Sequence, residues 1–598
     1  MKDEDTVRTM WVTTRYALVT ASKLFGSRWV AIVVAMLCVQ GALIWVMPLL
    51  TSLARWVLRH IGVSGINLYS IDVVVTSPLA ALVLVGIVGV ATVFVLAEIT
   101  LFAVIAHLTL DDVPLTFANV LRRVGTTIRK AASWQGLLLI PYLTVLQPIS
   151  GVGLPSVLTQ RIALPKFIPG EIRKTTPGAI LFALVMIALV YAMLRLLLFP
   201  AIVSGGDDTI ANALRRSLRM TTWRPLLGFA ATMLATVLTA SLVLALLAGV
   251  GILPLAMSRT HATAGLLLGI IELARLLVAG AAAAFISFFF VAYFRIAQGR
   301  SVAVRKARAP VRGTRVVSAT LVVLAVFLAI PRVISASDDA ALAADASTEI
   351  IGHRGYPEQA VENSIEGLRA ADAAGADMVE TDIQETRDGG FVMMHDVSLS
   401  RLTDDDRNVY ELTEEEATAL KLRQNGHTAS IPTLAEFVHA ADARGIRLLV
   451  DLKPHGHEGP GFARRITEQL NELDPDHTHM IQSLDRDLIE KIARLDAKRS
   501  TAYVVGFQIG DLPTTSTGAV VIENWSYHRR MLTQAHQQGR DLYTWTVNDV
   551  GDLSDDLSGG VDAVITDEVG RAIATQKRLG SGPITFYLER ARGLIAIG

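Results

Sequence analysis

The chain has 598 residues, 52% of them hydrophobic, with 55 basic and 55 acidic side chains and no net charge. That balance carries no electrostatic signature of a nucleic-acid partner, and a single cysteine, Cys38, excludes a disulfide framework. Every long apolar run lies before residue 345, so the chain divides into a half suited to lipid and a half suited to water.

In chain order, residues 29–50, 77–107, 134–150, 178–203, 225–253, 264–294 and 316–334 are apolar runs. Most are long enough to cross a hydrocarbon core of about 30 Å as helices. The run at 134–150 is short and contains Pro141, Gln147 and Pro148, which also suits a broken or re-entrant segment. The first 28 residues are polar and amphipathic, and the run after them is too long for a signal-peptide core, so the first span is expected to stay as an anchor. With seven crossings, one set of flanks (the N-terminus, 108–133, 204–224 and 297–315) holds 19 lysines and arginines, and the other (51–76, 151–177 and 254–263) holds 7. The positive-inside bias places the first set in the cytoplasm and everything after about residue 335 outside. Three basic stretches, at 9–29, 117–134 and 210–223, each lead into an apolar span. They read as interfacial helices or as ordinary cationic loop helices. Glu98, Arg195, Glu272 and Arg275 fall inside spans, where intrahelical pairing and snorkelling account for them without a transport path.

Residues 335–348 are small and acidic and suit an exposed linker. Beyond them, strand-like runs recur at 349–353, 377–383, 391–395, 447–453, 479–483, 501–506, 519–524, 541–547 and 562–566. Helical segments at 363–374, 433–444, 460–472, 485–496, 527–538 and 567–577 separate most of them. This alternation predicts an α/β fold, a (β/α)8 TIM barrel with one strand-like run to spare. The expected organisation is an α-helical membrane domain over 1–334 with about seven transmembrane helices, a linker over 335–348 and the barrel over 349–598.

Polar groups gather at the carboxyl ends of these strands, where barrels carry their chemistry. The first strand ends in His353-Arg354-Gly355, the second carries Glu380 and Asp382, the third run ends in His395-Asp396, and the next carries Asp451 and Lys453. Residues two apart on a strand share a face, so Glu380 pairs with Asp382 and Asp451 with Lys453. A tight turn at "TRDGG", 386–390, puts residue 382 opposite 395 to within a residue or two, which brings His395 to the carboxylates. Three converging carboxylates favour a hard cation such as Mg2+ or Ca2+. Two histidines beside it suit an acid/base pair, and Arg354 and Lys453 supply positive charge for a phosphate.

The succession "HRG…VENS…GADMVETDIQETRDGGFVMMHDVSLSRLT…DLKP…QSLD…YTWTVND…GVDAVITD" resembles the glycerophosphodiester phosphodiesterase family over nearly all of 349–577. The apolar half is similar to the membrane domain that precedes this enzyme in some bacterial members. The resemblance implies one divalent cation and hydrolysis of glycerophosphodiesters to glycerol 3-phosphate and an alcohol. It assigns catalysis to His353 and His395, metal ligation to Glu380, Asp382 and Asp451, and phosphate contact to Arg354 and Lys453. Two departures stand out. Asp451 replaces the family's usual glutamate and is one methylene shorter, and the "PEN" triplet reads Val361-Glu362-Asn363, which keeps both polar groups as support for the site. Trp545 is expected either to pack on the glycerol carbons or to serve as barrel core. The acidic loop at 397–431 is hydrophilic and makes no strong case for lipid insertion.

The route remains open between a cyclic phosphate and direct attack by water. Two neighbouring functions also remain open: cleavage of lysophospholipids or of a polyglycerophosphate at the membrane surface, and a non-catalytic sensor or carrier. The expected partners are the substrate and the bilayer; nothing in the sequence specifies a protein partner.

Overall fold

The computed structural model describes residues 2–145, 167–173, 176–206, 208–256, 261–304 and 348–581, together with 585, 586 and 589. Among them, five helical stretches are long and apolar enough to cross a membrane: Trp11–Val39, Pro78–Leu110, Thr176–Gly205, Pro225–Leu247 and Gly269–Ala297. The first belongs to a continuous helix, Lys2–His60. The basic stretch at 9–29 is therefore not a separate surface helix. It runs straight into the span, and its Ala17, Ala21 and Leu24 are fully buried among the other membrane helices. The second span starts where Ser77 caps it, the hydroxyl accepting from the Ala80 amide, with Pro78 in the first turn.

The third apolar run begins as a 3-10 turn, Trp134–Leu138, followed by a helix at Leu139–Val145, where its described part ends. The rest of that run, the run at 316–334 and the expected linker up to residue 347 lie outside the described residues. The other two basic stretches form amphipathic helices, Phe117–Ala131 and Ile210–Met220, capped by Thr116 and Thr209. Their cations serve the fold. Arg123 Nε donates to the Ser204 carbonyl at 2.9 Å, and Lys130 Nζ donates to those of Val203 and Gly206 at 2.7 and 2.6 Å. These carbonyls end the helix Phe199–Gly205 and would otherwise lack partners. Arg195 bonds locally, to the Tyr191 hydroxyl and the Leu218 carbonyl. The expected Glu272–Arg275 pair falls outside the described side chains.

The second half is a closed barrel of eight parallel strands: Glu349–His353, Met378–Glu385, Arg447–Leu452, Met480–Ser483, Thr501–Val505, Ala519–Glu523, Asp541–Trp545 and Ala563–Thr566. The eighth pairs with the first and the first with the second, which closes the ring. The spare strand-like run is Phe391–Met393, which folds back antiparallel on the second strand. Its register sets Ile383 opposite Met393, so 382 faces 394, one residue from the expected partner. Alternation sorts each strand into two environments. Ile350, Val379, Leu448 and Val450 point out to the helices, whereas Ile351, Met378 and Leu449 fill the barrel interior. Climbing the inward positions toward the carboxyl ends, Met378 gives way to Glu380 and Asp382, and Leu449 to Asp451. The apolar plug ends where the chemistry begins.

The acidic loop at 397–431 is a small structure of its own. A helix at Glu414–Thr418 and a hairpin, Lys421–Gln424 with His427–Ser430, cover a buried cluster that includes Leu399, Leu402, Val409, Leu412 and Leu422.

Candidate active site

The barrel register aligns the site. His353 is level with Glu380, and Asp382 is level with Asp451 across adjacent strands. One ligand oxygen from each of Glu380, Asp382 and Asp451 can lie within 4.8 Å of the others, and all three residues are buried. Lys453 Nζ sits 2.6 Å from Asp451 Oδ2 and 3.2 Å from Asp382 Oδ1. Arg354 turns the chain in a left-handed conformation, φ +57°, and its amide donates to Glu380 Oε2 at 3.0 Å. Gly355 follows at φ +93°, where a Cβ would come within 2.6 Å of the Gly367 backbone, so only glycine fits that turn.

The electrostatics show a deficit of positive charge. Burial, with Asp382 beside it, pushes Glu380 up to about 8. Burial also pushes Asp451 up to about 6, against the pull of Lys453. Asp382 goes the other way: burial opposes its charge, but Lys453 and Arg354 hold it well below the usual carboxylate range. Asp451 Oδ1 is buried with no hydrogen-bond partner. Two carboxyls pushed toward their protonated forms, one of them with an orphaned buried oxygen, fit a cluster able to hold a cation. Three oxygen ligands with no sulfur or imidazole among them fit a hard divalent ion.

Two histidines flank this cluster, and each is fixed by a carboxylate. His353 Nδ1 lies 2.7 Å from Asp567 Oδ1, and His395 Nδ1 lies 2.6 Å from Asp396 Oδ1. A ring whose Nδ1–H is held this way presents Nε2 for proton transfer. Burial, the largest effect, works against the charged form of His353, but the charge and hydrogen bond of Asp567, with Glu380, together leave the net displacement upward. For His395 burial prevails, and the ring is displaced downward.

The remaining expected residues assemble around these. Glu362 is a hub, accepting from Arg354 Nη1 at 3.0 Å and from both terminal nitrogens of Arg401 and Nε2 of Gln424. Asn363 donates to Asp382 Oδ2 at 2.9 Å and receives the Asp382 amide and the Thr381 hydroxyl, which holds Asp382 by both its side chain and its backbone. Arg354 faces carboxylates as well as the site, with Nε 3.2 Å from Asp382 Oδ2. Trp545 closes the seventh strand, half-buried against the barrel interior at its mouth.

Sequence reasoning gave no role to four residues that hold the machinery. Asp567 and Asp396 orient the histidines. Asn548 Nδ2 donates to Asp567 Oδ2 at 2.6 Å while its oxygen receives the Asp567 amide. Arg401 ties Asp396 to Glu362. A signal existed for three of them, since Asp396 adjoins His395 and both Asn548 and Asp567 stand at carboxyl ends of barrel strands, "TWTVND" and "AVITD".

Comparison with known proteins bears on both halves. The family described as "Membrane domain of glycerophosphoryl diester phosphodiesterase" matches residues 19–330, and the "Glycerophosphoryl diester phosphodiesterase family" matches 353–571. A glycerophosphodiester phosphodiesterase of Caldanaerobacter subterraneus is 25% identical over 232 residues, 37% of this chain and 94% of that protein. Glycerophosphodiester phosphodiesterase 1 of Rattus norvegicus is 32% identical over 158 residues, 25% of this chain and 47% of that one. Among solved structures, an Oleispira antarctica phosphodiesterase in complex with the product sn-glycerol-3-phosphate is 22% identical, covering 39% of this chain and 98% of its own, with a TM-score of 0.34. With the membrane-domain match spanning more than half of its length and the enzyme match spanning the barrel, the chain belongs to the glycerophosphoryl diester phosphodiesterase family, in the form that carries a membrane domain ahead of the enzyme.

Proposed function

We propose that the barrel hydrolyses glycerophosphodiesters to glycerol 3-phosphate and an alcohol by acid/base transfer between His353 and His395, beside a divalent cation held by Glu380, Asp382 and Asp451, on the extracytoplasmic side of the membrane. The observation that carries this reading is the pair of carboxylate-oriented histidines flanking one buried three-carboxylate cluster.

When bound there, a divalent cation supplies Lewis acidity toward the phosphoryl oxygens. Lys453 and the Arg354 guanidinium add fixed positive charge that favours the growing negative charge on phosphorus-bound oxygen. One histidine Nε2 takes the proton from the glycerol 2-hydroxyl or from water as that oxygen attacks phosphorus, and the other gives a proton to the departing alcohol. Asp567 and Asp396 hold the two rings in the tautomer this requires. Trp545 offers an apolar wall for the glycerol carbons. Two intact, oriented histidines argue against a barrel that merely senses or carries its ligand.

Support for the outer location comes from the 19-to-7 asymmetry of lysine and arginine in the loops. It comes also from the loop after the first span, assigned outside by that count, which bonds directly to the barrel. The test is turnover of glycerophosphocholine by the purified full chain, with release of glycerol 3-phosphate dependent on added Mg2+ or Ca2+. No release with any divalent ion would overturn the reading.

A further inference from the structure

The segment between the first two spans, residues 61–77, is built to grip the barrel. Gly65–Ile66 pairs antiparallel with Ile509–Gly510. Asp511 donates its amide to the Ser64 carbonyl at 2.9 Å, and Asn67 Nδ2 donates to Gln508 Oε1 at 2.9 Å. Tyr69 is held from both sides, its hydroxyl donating to the Leu484 carbonyl and accepting from the Arg486 amide, each at 3.1 Å. The approach is close enough that a Cβ on Gly65 would fall 2.1 Å from the Gln508 side chain and 2.7 Å from the Ile509 carbonyl.

Position matters more than strength here. Leu484 and Arg486 follow the fourth barrel strand, and Gln508 to Asp511 follow the fifth, so the gripped residues belong to the carboxyl-end rim that also carries the active site. On the other side, the gripping segment runs directly into the span Pro78–Leu110. It joins the helix Lys2–His60, which exposes Trp45, Leu49, Leu53 and Trp56, to a span whose exposed Leu79 and Leu82 begin at once after Pro78. Tryptophans at the end of such an apolar belt mark the headgroup level. Leu68, Ile71 and Val75 of the segment and Leu484 and Ile509 of the rim are exposed to solvent, which is costly in water and favourable at a lipid surface. From that rim inward, Phe507 and Trp525 stack at 5.6 Å in the loops after the fifth and sixth strands.

We infer that this dock holds the catalytic face of the barrel against the bilayer, so that the enzyme draws its glycerophosphodiester group from a monoacyl glycerophospholipid seated in the membrane in preference to a freely dissolved diester. The inference rests on the glycerophosphodiester reading of the site and adds the source of the substrate. The reaction is the same one: water or the neighbouring glycerol hydroxyl forms the new bond to phosphorus, the bond to the headgroup oxygen breaks, and the headgroup leaves as the alcohol with one proton. With water as the net reactant the acyl chain stays on the glycerol phosphate in the bilayer. Confinement to the surface raises the local concentration of such a lipid at the mouth, an advantage a dissolved diester does not share.

The experiment compares full-length protein in phosphatidylcholine nanodiscs, open to water on both faces, on two substrates: dissolved glycerophosphocholine and 1-oleoyl-lysophosphatidylcholine placed in the disc. The Asn67→Ala/Tyr69→Ala double variant and Gly65→Val both loosen the dock without touching the site. Expected is a kcat/KM for the embedded lipid that exceeds that for the dissolved diester by about tenfold or more in the wild type, and that falls by a similar factor in both variants while their glycerophosphocholine turnover stays within about twofold. Wild-type protein that cleaves only the dissolved diester overturns the inference and leaves the proposed function standing. Variants that lose both activities together, or neither, overturn it too, because the segment would then be structural or idle. Wild-type protein inactive on both substrates sinks the functional reading itself.

Discussion

Asp567 is the sharpest place to perturb the mechanism, because it touches one catalytic ring and no proposed metal ligand. Its Oδ1 takes the Nδ1 proton of His353 at 2.7 Å, while its Oδ2 and its amide are both committed to Asn548. In Asp567→Asn the new amide group must turn its NH2 either toward His353 or toward Asn548, and in each case a donor meets a donor. If it faces the ring, the proton moves to Nε2 and the reacting nitrogen is blocked. If it faces Asn548, a buried clash of donors strains the loop. A hydrogen bond to a charged group contributes about 1.5–3 kcal/mol, so kcat should fall by roughly one to two powers of ten. KM should change little, because Asp567 is a positioning residue. The charge and hydrogen bond of Asp567 raise the His353 pKa against burial, so its removal lowers that pKa and shifts the corresponding limb of the pH–rate profile to lower pH. The assay is steady-state turnover of glycerophosphocholine across pH, with circular dichroism and thermal melting as controls. A kcat within about threefold of wild type, with the fold intact, would refute the orienting role.

Other outcomes follow from the same geometry. His353→Ala and His395→Ala should each cost about 10²-fold or more in turnover with an unchanged circular dichroism spectrum, since each supplies one proton-transfer step; near wild-type rates in either would dismiss the pair. Chelation with EDTA should abolish activity, and Asp451→Glu, which restores the longer side chain of the family, should keep or tighten metal affinity by calorimetric titration; full activity after exhaustive dialysis against EDTA would rule the cation out. A protease added to intact protoplasts should remove the barrel, and Ser347→Cys should react with an impermeant maleimide, whereas protection of both until lysis would put the barrel in the cytoplasm. Asp556, 3% exposed among Asp552 and Asp555, is pushed by burial up to about 8. A raised carboxyl stabilises the fold while protonated, and that contribution is lost as pH rises through the folded value, so between pH 6 and 8 the wild type should lose up to about 2–3 kcal/mol that Asp556→Asn keeps; parallel pH–stability curves for the two proteins would contradict this.

The barrel was legible because its signals are local and redundant. Each strand is a short apolar run, the inward positions of the first three change to His, Glu or Asp at the carboxyl end, and the observed strands begin and end within two residues of the expected ones. The site followed, since alternation alone places Glu380 with Asp382 and Asp451 with Lys453. What escaped was whatever depends on long-range pairing. The loop at 397–431 looked like an acidic insertion, yet its spaced Leu399, Leu402, Val409 and Leu412 assemble a separate small core only because the hairpin at 421–430 closes over them. Asn548 and Asp567 carry no meaning until the eighth strand lies beside the first. The Asn67–Gln508 bond joins residues 441 positions apart, and neither side has a local pattern that announces it.

That long-range contact also constrains the membrane half, through parity. Residues 61–77 leave the first span, and the barrel can touch them only if the chain crosses the bilayer an even number of times between residue 77 and residue 348. The described spans after that loop are four: Pro78–Leu110, Thr176–Gly205, Pro225–Leu247 and Gly269–Ala297. Four is even, so the described spans alone return the chain to the side of that loop, and the crossings expected at 134–150 and 316–334 keep this parity only as a pair. A single extra crossing would leave the barrel on the wrong side of the membrane from the loop it pairs with. The loop charges bear on the expected count. If neither run crosses, the segment 204–224, with Arg215, Arg216, Arg219 and Arg224, is exported; if both cross, it stays in the cytoplasm with the other basic flanks. Seven crossings, the count expected from the sequence, agrees with both the pairing of Gly65–Ile66 with Ile509–Gly510 and the positive-inside bias.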